Sequence, residues 1–288
     1  MRPERRKRHH YIPVFLQKHF CDADGMLWYG IRDTQVVRRV PPQHAFVEKG
    51  LYTSYEEARE RANDIAYEPD DRYERKFAEL ESRAAPAIGK LIAVTRQLID
   101  SGDTDLLGGM SSAEITACKQ LLISSMNRTP DAINSAIVRS RPESSEAISK
   151  LDLQPLRRFP KAVQDTLLQR LERSAAVHVA SSSHRDVPRG VNLDECGLVV
   201  AAYSSPSRRF ILGSCGVAVL PVAEDDLDGD WLPISPDQAI GLYDDSANIR
   251  LFKDWEGLRC RINEALAKRS RFIAGTSRGL VKRTLQRG

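Results

Sequence analysis

The sequence lacks any long hydrophobic run. No apolar stretch approaches the roughly 18 to 20 residues that a helix needs to cross a bilayer. The basic N-terminus is not followed by the apolar segment and small-residue cleavage site of a secretion signal. We therefore expect a cytoplasmic protein that does not interact with a membrane.

Cysteine pairs at metal-binding spacing are also absent. The five cysteines are spread along the chain, and no two of them form a Cys-x-x-Cys pattern. This spacing argues against a zinc ribbon and against a disulfide framework. An odd number of cysteines without an export signal is typical of reduced thiols in a cytoplasm.

The glycine patterns that bind nucleotides are missing as well. The sequence contains neither a Walker A motif nor a dinucleotide-binding glycine motif. The acidic segment 224–230 lacks the glycine and glutamate spacing of an EF-hand. The sequence therefore identifies no cofactor and leaves the presence of a metal open.

Charge is unevenly distributed along the chain. Residues 1–20 carry a net charge of +5 and residues 250–288 carry +8, whereas residues 21–249 carry −9. Basic ends on an acidic middle favour a polyanionic partner at the ends, such as nucleic acid. Solvated basic tails that keep the protein soluble are the alternative.

The pattern predicts an α+β fold with a β-hairpin and a short helix at the N-terminus. Residues 9–12 are expected to be extended, because a residue before proline avoids the helical region. Pro13 is expected to take the first position of a short helix that reaches Phe20. The runs 26–31 and 35–40 are predicted to form the hairpin.

The middle of the chain, 54–185, is predicted to be a large helical part. Ser54–Glu57 and Ser111–Glu114 both have the Ser-x-x-Glu form of a capping box. A long helix is expected over about 71–100, and a second helix is expected to end at Arg128. Shorter helices are predicted at 131–139, 143–150 and 161–180.

The last third, 190–288, is predicted to contain a mixed or antiparallel sheet. Its runs are rich in Val, Leu and Ile, which favour strands. The expected strands are 197–203, 208–212, 217–222, 231–234, 240–243 and 271–274, with a helix near 254–268.

The opening residues resemble those of a known family. The stretch His9-His10-Tyr11-Ile12-Pro13 is similar to the HHYVP-type opening of the bacterial DUF4238 family, a domain of unknown function. Further segments are similar in the same order: Glu48–Thr53, Glu79–Glu81, Met126–Pro130, Leu232–Pro236, Arg261–Asn263 and Arg271–Ala274. The resemblance implies one domain over 1–288, with 1–53 as its N-terminal part, and it implies no reaction.

The chain departs from that family at one point. Members often carry a Ser-Asp-x-Pro step where this sequence has Gly213–Val217, without aspartate or proline. If that carboxylate acts in the family, the present chain is altered or inactive at that step.

His9 and His10 are the candidate catalytic residues. Imidazole is the side chain best suited to proton transfer near neutral pH, and it also binds metals. Adjacent residues of an extended segment point to opposite sides, so we expect one ring in a site and the other in the core. The alternative is a purely structural pair.

Three arginines are candidates for phosphate binding, because a guanidinium binds phosphate through two parallel N–H groups. They are Arg128, Arg269 and Arg271. Arg128 is equally suited to bond the free carbonyls of the helix that ends there. Glu81 and Asn263 are further candidates, Glu81 as a general base or metal ligand, although a solvated helix face also explains it.

Two functions follow as hypotheses. The first is a phosphodiester-acting hydrolase, nuclease-like and of a bacterial defence or toxin type, that uses an N-terminal histidine. The second is a non-catalytic module that binds nucleic acid or a protein through its basic ends, with a structural His-His pair.

Overall fold

The computed structural model describes thirteen stretches of the chain. They are residues 8–52, 54–57, 67–70, 72–135, 161, 164–166, 168–169, 193, 196–207, 209–220, 229–243, 249–255 and 257–287. Within them the chain has the predicted α+β fold. The predicted helix at 143–150, most of the one at 161–180 and the acidic segment up to residue 228 lie outside these residues.

The N-terminal part confirms the expected hairpin and short helix. Strand β1 (Arg8–His10) pairs antiparallel with β4 (Val47–Lys49). Helix α1 (Val14–His19) follows, and Pro13 is its N-cap rather than its first helical residue. Strands β2 (Leu27–Ile31) and β3 (Val36–Val40) form the hairpin.

The prediction that a helix starts at Ser54 is wrong. Residues Ser54–Glu57 form strand β5, which pairs antiparallel with β6 (Tyr67–Asp70). A Ser-x-x-Glu pattern reports only a local preference, whereas cross-strand pairing and a tyrosine in each of the two segments favour strands. Pro69, opposite Tyr55, is tolerated because a two-stranded sheet has only edge strands.

The two main helices confirm the sequence prediction. Helix α2 (Arg72–Ser101) contains Pro86, and α3 (Ser112–Asn127) packs against it. The second capping box is present: Ser111 Oγ accepts the Glu114 N–H at 3.3 Å, and Glu114 accepts the Ser111 N–H at 2.7 Å. No helix in the described part of the chain is both long and apolar enough to cross a bilayer.

The C-terminal third contains more elements than predicted. The elements are β7 (Gly197–Ala202), β8 (Leu212–Gly213), β9 (Ala218–Leu220), β10 (Gly229–Ser235), β11 (Gln238–Tyr243), β12 (Ile249–Lys253), α4 (Leu258–Arg269), β13 (Phe272–Gly275) and α5 (Arg278–Arg287). Strand β12 and helix α5 were not predicted. The expected strand 208–212 shares only Leu212 with β8, and residues 209–211 are not in a strand.

Two sheets hold the fold together. One has the order β12-β7-β11-β10-β9 and the other the order β3-β2-β13-β8. The second sheet pairs β2 near the N-terminus with β13 near the C-terminus. Strand β7 is buried on both faces: Leu198 and Val200 pack with α2 and α3, and Val199 and Ala201 pack into the other core.

A glycine allows the turn after β8 to lie against the end of α3. Gly216 has φ of +79°, and a Cβ at this position would lie 2.3 Å from the Ser125 carbonyl oxygen. Only a residue without a side chain fits this conformation and this approach. The Gly213–Val217 segment is thereby fixed beside the helix that ends at Arg128.

We predict that Gly216→Ala is more destabilising than Gly25→Ala. Both glycines have positive φ, which costs an L-residue about 1–2 kcal/mol. Only at Gly216 would the added Cβ collide with backbone atoms, because a Cβ at Gly25 would have nothing within 4 Å. Chemical denaturation of both variants measures the difference in the free energy of unfolding. Equal decreases in the free energy of unfolding would show that the turn at Gly216 can shift away from α3 without loss of stability.

Candidate functional site

The candidate site is built around the buried guanidinium of Arg128. This residue is the C-cap of α3, and it is only 1% exposed. Its Nη2 donates to the His10 carbonyl at 2.7 Å, and its Nη1 forms an ion pair with Glu81 at 2.7 Å. Its Nε donates to the Tyr52 hydroxyl at 3.3 Å. One side chain therefore joins β1, the segment after β4 and helix α2.

Aromatic rings enclose the same guanidinium. Its Cζ lies 4.6 Å from the ring centre of Phe77 and 5.8 Å from that of Tyr52. The Tyr52 hydroxyl donates to the Arg128 carbonyl oxygen at 2.6 Å, so it satisfies an acceptor at the end of α3. Ring faces attract a cation more strongly where water is excluded.

His9 is part of this buried cluster. Its ring is 1% exposed and stacks on Tyr52, with centroids 5.3 Å apart and planes at 11°. Its Nδ1 accepts the Tyr52 backbone N–H at 2.9 Å. His9 therefore helps to position the tyrosine that binds Arg128, which is the core role expected for one of the two histidines.

His10 points to the other side of β1 and is half-buried. Its Nε2 donates to the Gln43 carbonyl at 3.1 Å, so in the neutral ring Nδ1 keeps a lone pair. Burial lowers the pKa of His10 below 6.5, and this outweighs the bond to Gln43 and the charge of Glu81, which raise it. The ring is therefore neutral at pH 7 and can accept a proton.

The structure separates the three arginines that we predicted to hold phosphate. Arg128 is buried, and Arg271 lies on the surface in an ion pair with Asp33 at 2.9 Å. Arg269 lines a cavity of about 450 Å³ beside Asn127 and Thr129, the neighbours of Arg128. These positions do not form one phosphate site.

Asn263 also lies apart from the histidine cluster. Its amide donates to the Arg209 carbonyl at 2.9 Å and accepts the Ile211 N–H at 3.2 Å. It thus ties the segment before β8 to helix α4. Of the predicted residues, the structure brings together His9, His10, Glu81 and Arg128.

Comparison with protein families identifies the chain. The model described as "Protein of unknown function (DUF4238)" matches residues 8–194, which include the histidine pair, Glu81 and Arg128. The chain belongs to the DUF4238 family. The similar segments after residue 194 lie beyond this DUF4238 match. Neither the curated proteins nor the solved structures gave a significant match.

The Gly213–Val217 segment lies next to the site. Gly216 contacts the end of α3, and Cys215 lines the 450 Å³ cavity together with Arg269 and Asp131. Burial raises the pKa of the Cys215 thiol above its ordinary value. The Gly213–Val217 segment therefore places a buried thiol beside the end of α3.

Sequence reasoning missed the aromatic residues of the cluster around Arg128. Tyr52 lies in the segment Glu48–Thr53 that marked the resemblance, but its role depends on contacts 43 and 76 residues away, with His9 and Arg128. Phe77 fits the apolar pattern of α2, and nothing else in the sequence indicated that it contacts Arg128. No group of three or more His, Cys, Asp or Glu side chains among the described residues is placed to hold a metal.

One serine motif was also missed by sequence reasoning. Gly275–Gly279 has the form Gly-x-Ser-x-Gly at a strand-to-helix turn. The Ser277 hydroxyl, however, accepts the Leu280 N–H at 3.3 Å and so caps α5. The preceding strand β13 lies in an antiparallel sheet, whereas a nucleophile elbow follows a parallel strand.

We predict that Arg128→Met strongly destabilises the fold, whereas Arg271→Met does not. Removing the buried charge leaves Glu81, Tyr52 and the His10 carbonyl without their donor, at a cost of about 3–5 kcal/mol. Arg271 is the control, because its exposed ion pair contributes about 1 kcal/mol or less. Urea unfolding measures both losses, and similar values would show that Arg128 does not hold the cluster together.

Proposed function

We propose that this protein is a phosphodiester-acting, nuclease-like hydrolase in which His10 accepts the proton of the attacking water. The observation that carries the proposal is the convergence of His10, Glu81 and Arg128. These residues come from β1, α2 and the end of α3. The Arg128 guanidinium pairs with Glu81 and bonds the backbone carbonyl of His10, and the charges of Glu81 and Arg128 both act on the His10 ring. A half-buried imidazole whose pKa is raised by the charge of a nearby carboxylate and lowered by burial is typical of a general base.

Each residue has a separate role in this proposal. Nδ1 of His10 takes the proton from water while the water oxygen attacks phosphorus. The bond to the leaving oxygen then breaks, and that oxygen takes a proton from solvent. The carboxylate of Glu81, whose side chain is 27% exposed, stabilises the imidazolium that forms. Arg128 is a positioning residue, because its buried guanidinium holds Glu81 and the His10 backbone.

We predict that His10→Gln strongly slows cleavage and that His44→Gln does not. A general base contributes about 10²–10⁴-fold to the rate, so the His10 variant should lose at least about 100-fold. His44 is an exposed histidine in the neighbouring segment and serves as the matched control. Cleavage is measured on single- and double-stranded RNA and DNA. Absence of turnover by the wild-type protein on all four substrates would refute the hydrolase.

The pH dependence of cleavage provides a second test. The reaction needs neutral His10, whose pKa lies below 6.5, so the rate should stay high at pH 7 and fall only below pH 6.5. Glu81 raises this pKa, so Glu81→Gln should move the acid limb of the profile to still lower pH. A limb that stays in place or moves to higher pH would contradict the assignment of Glu81.

A non-catalytic nucleic-acid-binding module is the second candidate. It is favoured by the burial of Arg128, because each of its three guanidinium nitrogens lies within 3.3 Å of a partner inside the protein. In that case the histidine pair is structural, and the exposed basic surface of the C-terminal part binds the ligand. Binding that weakens steeply with salt and proceeds without turnover would select this function.

A further inference from the structure

A polar cleft lies between helices α4 and α5, on the C-terminal basic part of the chain. It has a volume of about 180 Å³, far above the roughly 10–15 Å³ that one water needs. Helical spacing brings its residues together: Arg283 and Arg287 are four residues apart on α5, and Arg259 lies on the facing side of α4. The cleft therefore gathers three guanidinium groups from two helices.

The charge of this cleft is not balanced within the described part of the chain. Among the described residues that line it, Glu264 is the only acidic one, against three arginines. None of the three arginines forms an ion pair with any described residue. In addition, Nε of Arg259 is buried and has no hydrogen-bond acceptor among those residues. A buried donor of this kind is costly unless a ligand or water satisfies it.

We propose that the α4–α5 cleft binds a phosphate group. Guanidinium groups bind phosphate through paired N–H donors, and three of them around one anion offset its charge. The hydroxyl groups of Ser207 and Thr284 line the same cleft and add donors of the kind that contact phosphate. The ligand is a nucleotide or a polynucleotide, which share this chemistry.

This site is separate from the histidine cluster. The proposal rests on the proposed function only in naming a nucleotide or polynucleotide as the source of the phosphate. A variant of the cleft changes binding, whereas a variant of His10 changes cleavage. Failure of one test therefore leaves the other interpretable. None of the residues changed below belongs to the proposed catalytic machinery.

The test compares two double variants of the same helix. Arg283→Gln/Arg287→Gln removes two charges from the cleft. Arg278→Gln/Lys282→Gln removes two charges from exposed positions of α5 that do not line it. Both variants keep good helix formers and have equal net charge. Binding is measured by anisotropy with labelled single-stranded RNA and DNA, and by calorimetry with pyrophosphate and a nucleoside triphosphate.

We expect the cleft variant to raise Kd by about tenfold or more for each arginine that no longer bonds phosphate, and the control to raise it by at most a few-fold. For a single strand, the slope of log K against log salt should decrease by about 1.4 in the cleft variant, since two arginines no longer neutralise phosphates. Glu264→Gln should tighten binding. Binding of nucleotide and strand alike identifies a site for a single phosphate group, and binding of the strand alone identifies a polynucleotide site.

Two results would overturn the proposal. The first is equal weakening by the cleft variant and the control, which would show that only the total charge matters. The second is a wild-type protein that binds none of the four probes. Circular dichroism and thermal melting of each variant confirm that weaker binding does not result from unfolding.

Discussion

The buried charge of Arg128 is the constraint on which the rest of the structure depends. A guanidinium that is removed from water must be fully paired, because an uncompensated buried charge costs several kcal/mol. Here its partners come from three distant parts of the chain, the His10 carbonyl, the Tyr52 hydroxyl and the Glu81 carboxylate. Folding must therefore bring the N-terminal strand onto the helices before the charge is satisfied.

This constraint explains why the two histidines have different surroundings. Strand β1 is held by its pairing with β4 and by the bond from Arg128 to His10. Alternation along the strand then places His9 against Tyr52 in the core and His10 on the partly open side. The neutral state of His10 is thus a consequence of where the strand is anchored.

The molecule uses its arginines in two contrasting ways. Arg128 is enclosed by aromatic rings and a carboxylate, so its charge is neutralised within the fold. Arg283 and Arg287 lie on the exposed side of α5, which is anchored by Val281 and Leu285 against β2 and β13. Their charge remains available to a ligand. The predicted division of the chain into basic ends and an acidic middle did not distinguish these roles, since net charge carries no information about burial.

The sequence by itself determined the helices and strands that follow from patterns among neighbouring residues. The capping box at Ser111–Glu114, the hairpin of β2 and β3 and the apolar run of β7 follow from such signals. The same kind of signal failed at Ser54–Glu57, where pairing with β6 outweighs the capping pattern. The motif residues His10, Glu81 and Arg128 were recognisable as candidates from their chemistry and their positions in the sequence.

Only the tertiary structure decided which of these candidates meet and what each can do. The distance between residues far apart in sequence depends on how sheets and helices pack, and no local periodicity encodes it. The fold placed Glu81 and His10 around Arg128, sent Asn263 and Arg271 elsewhere, and created a basic cleft from two helices, one of which the sequence had not revealed. Burial, which sets the pKa of His10 and the role of Arg128, exists only once those elements are packed together.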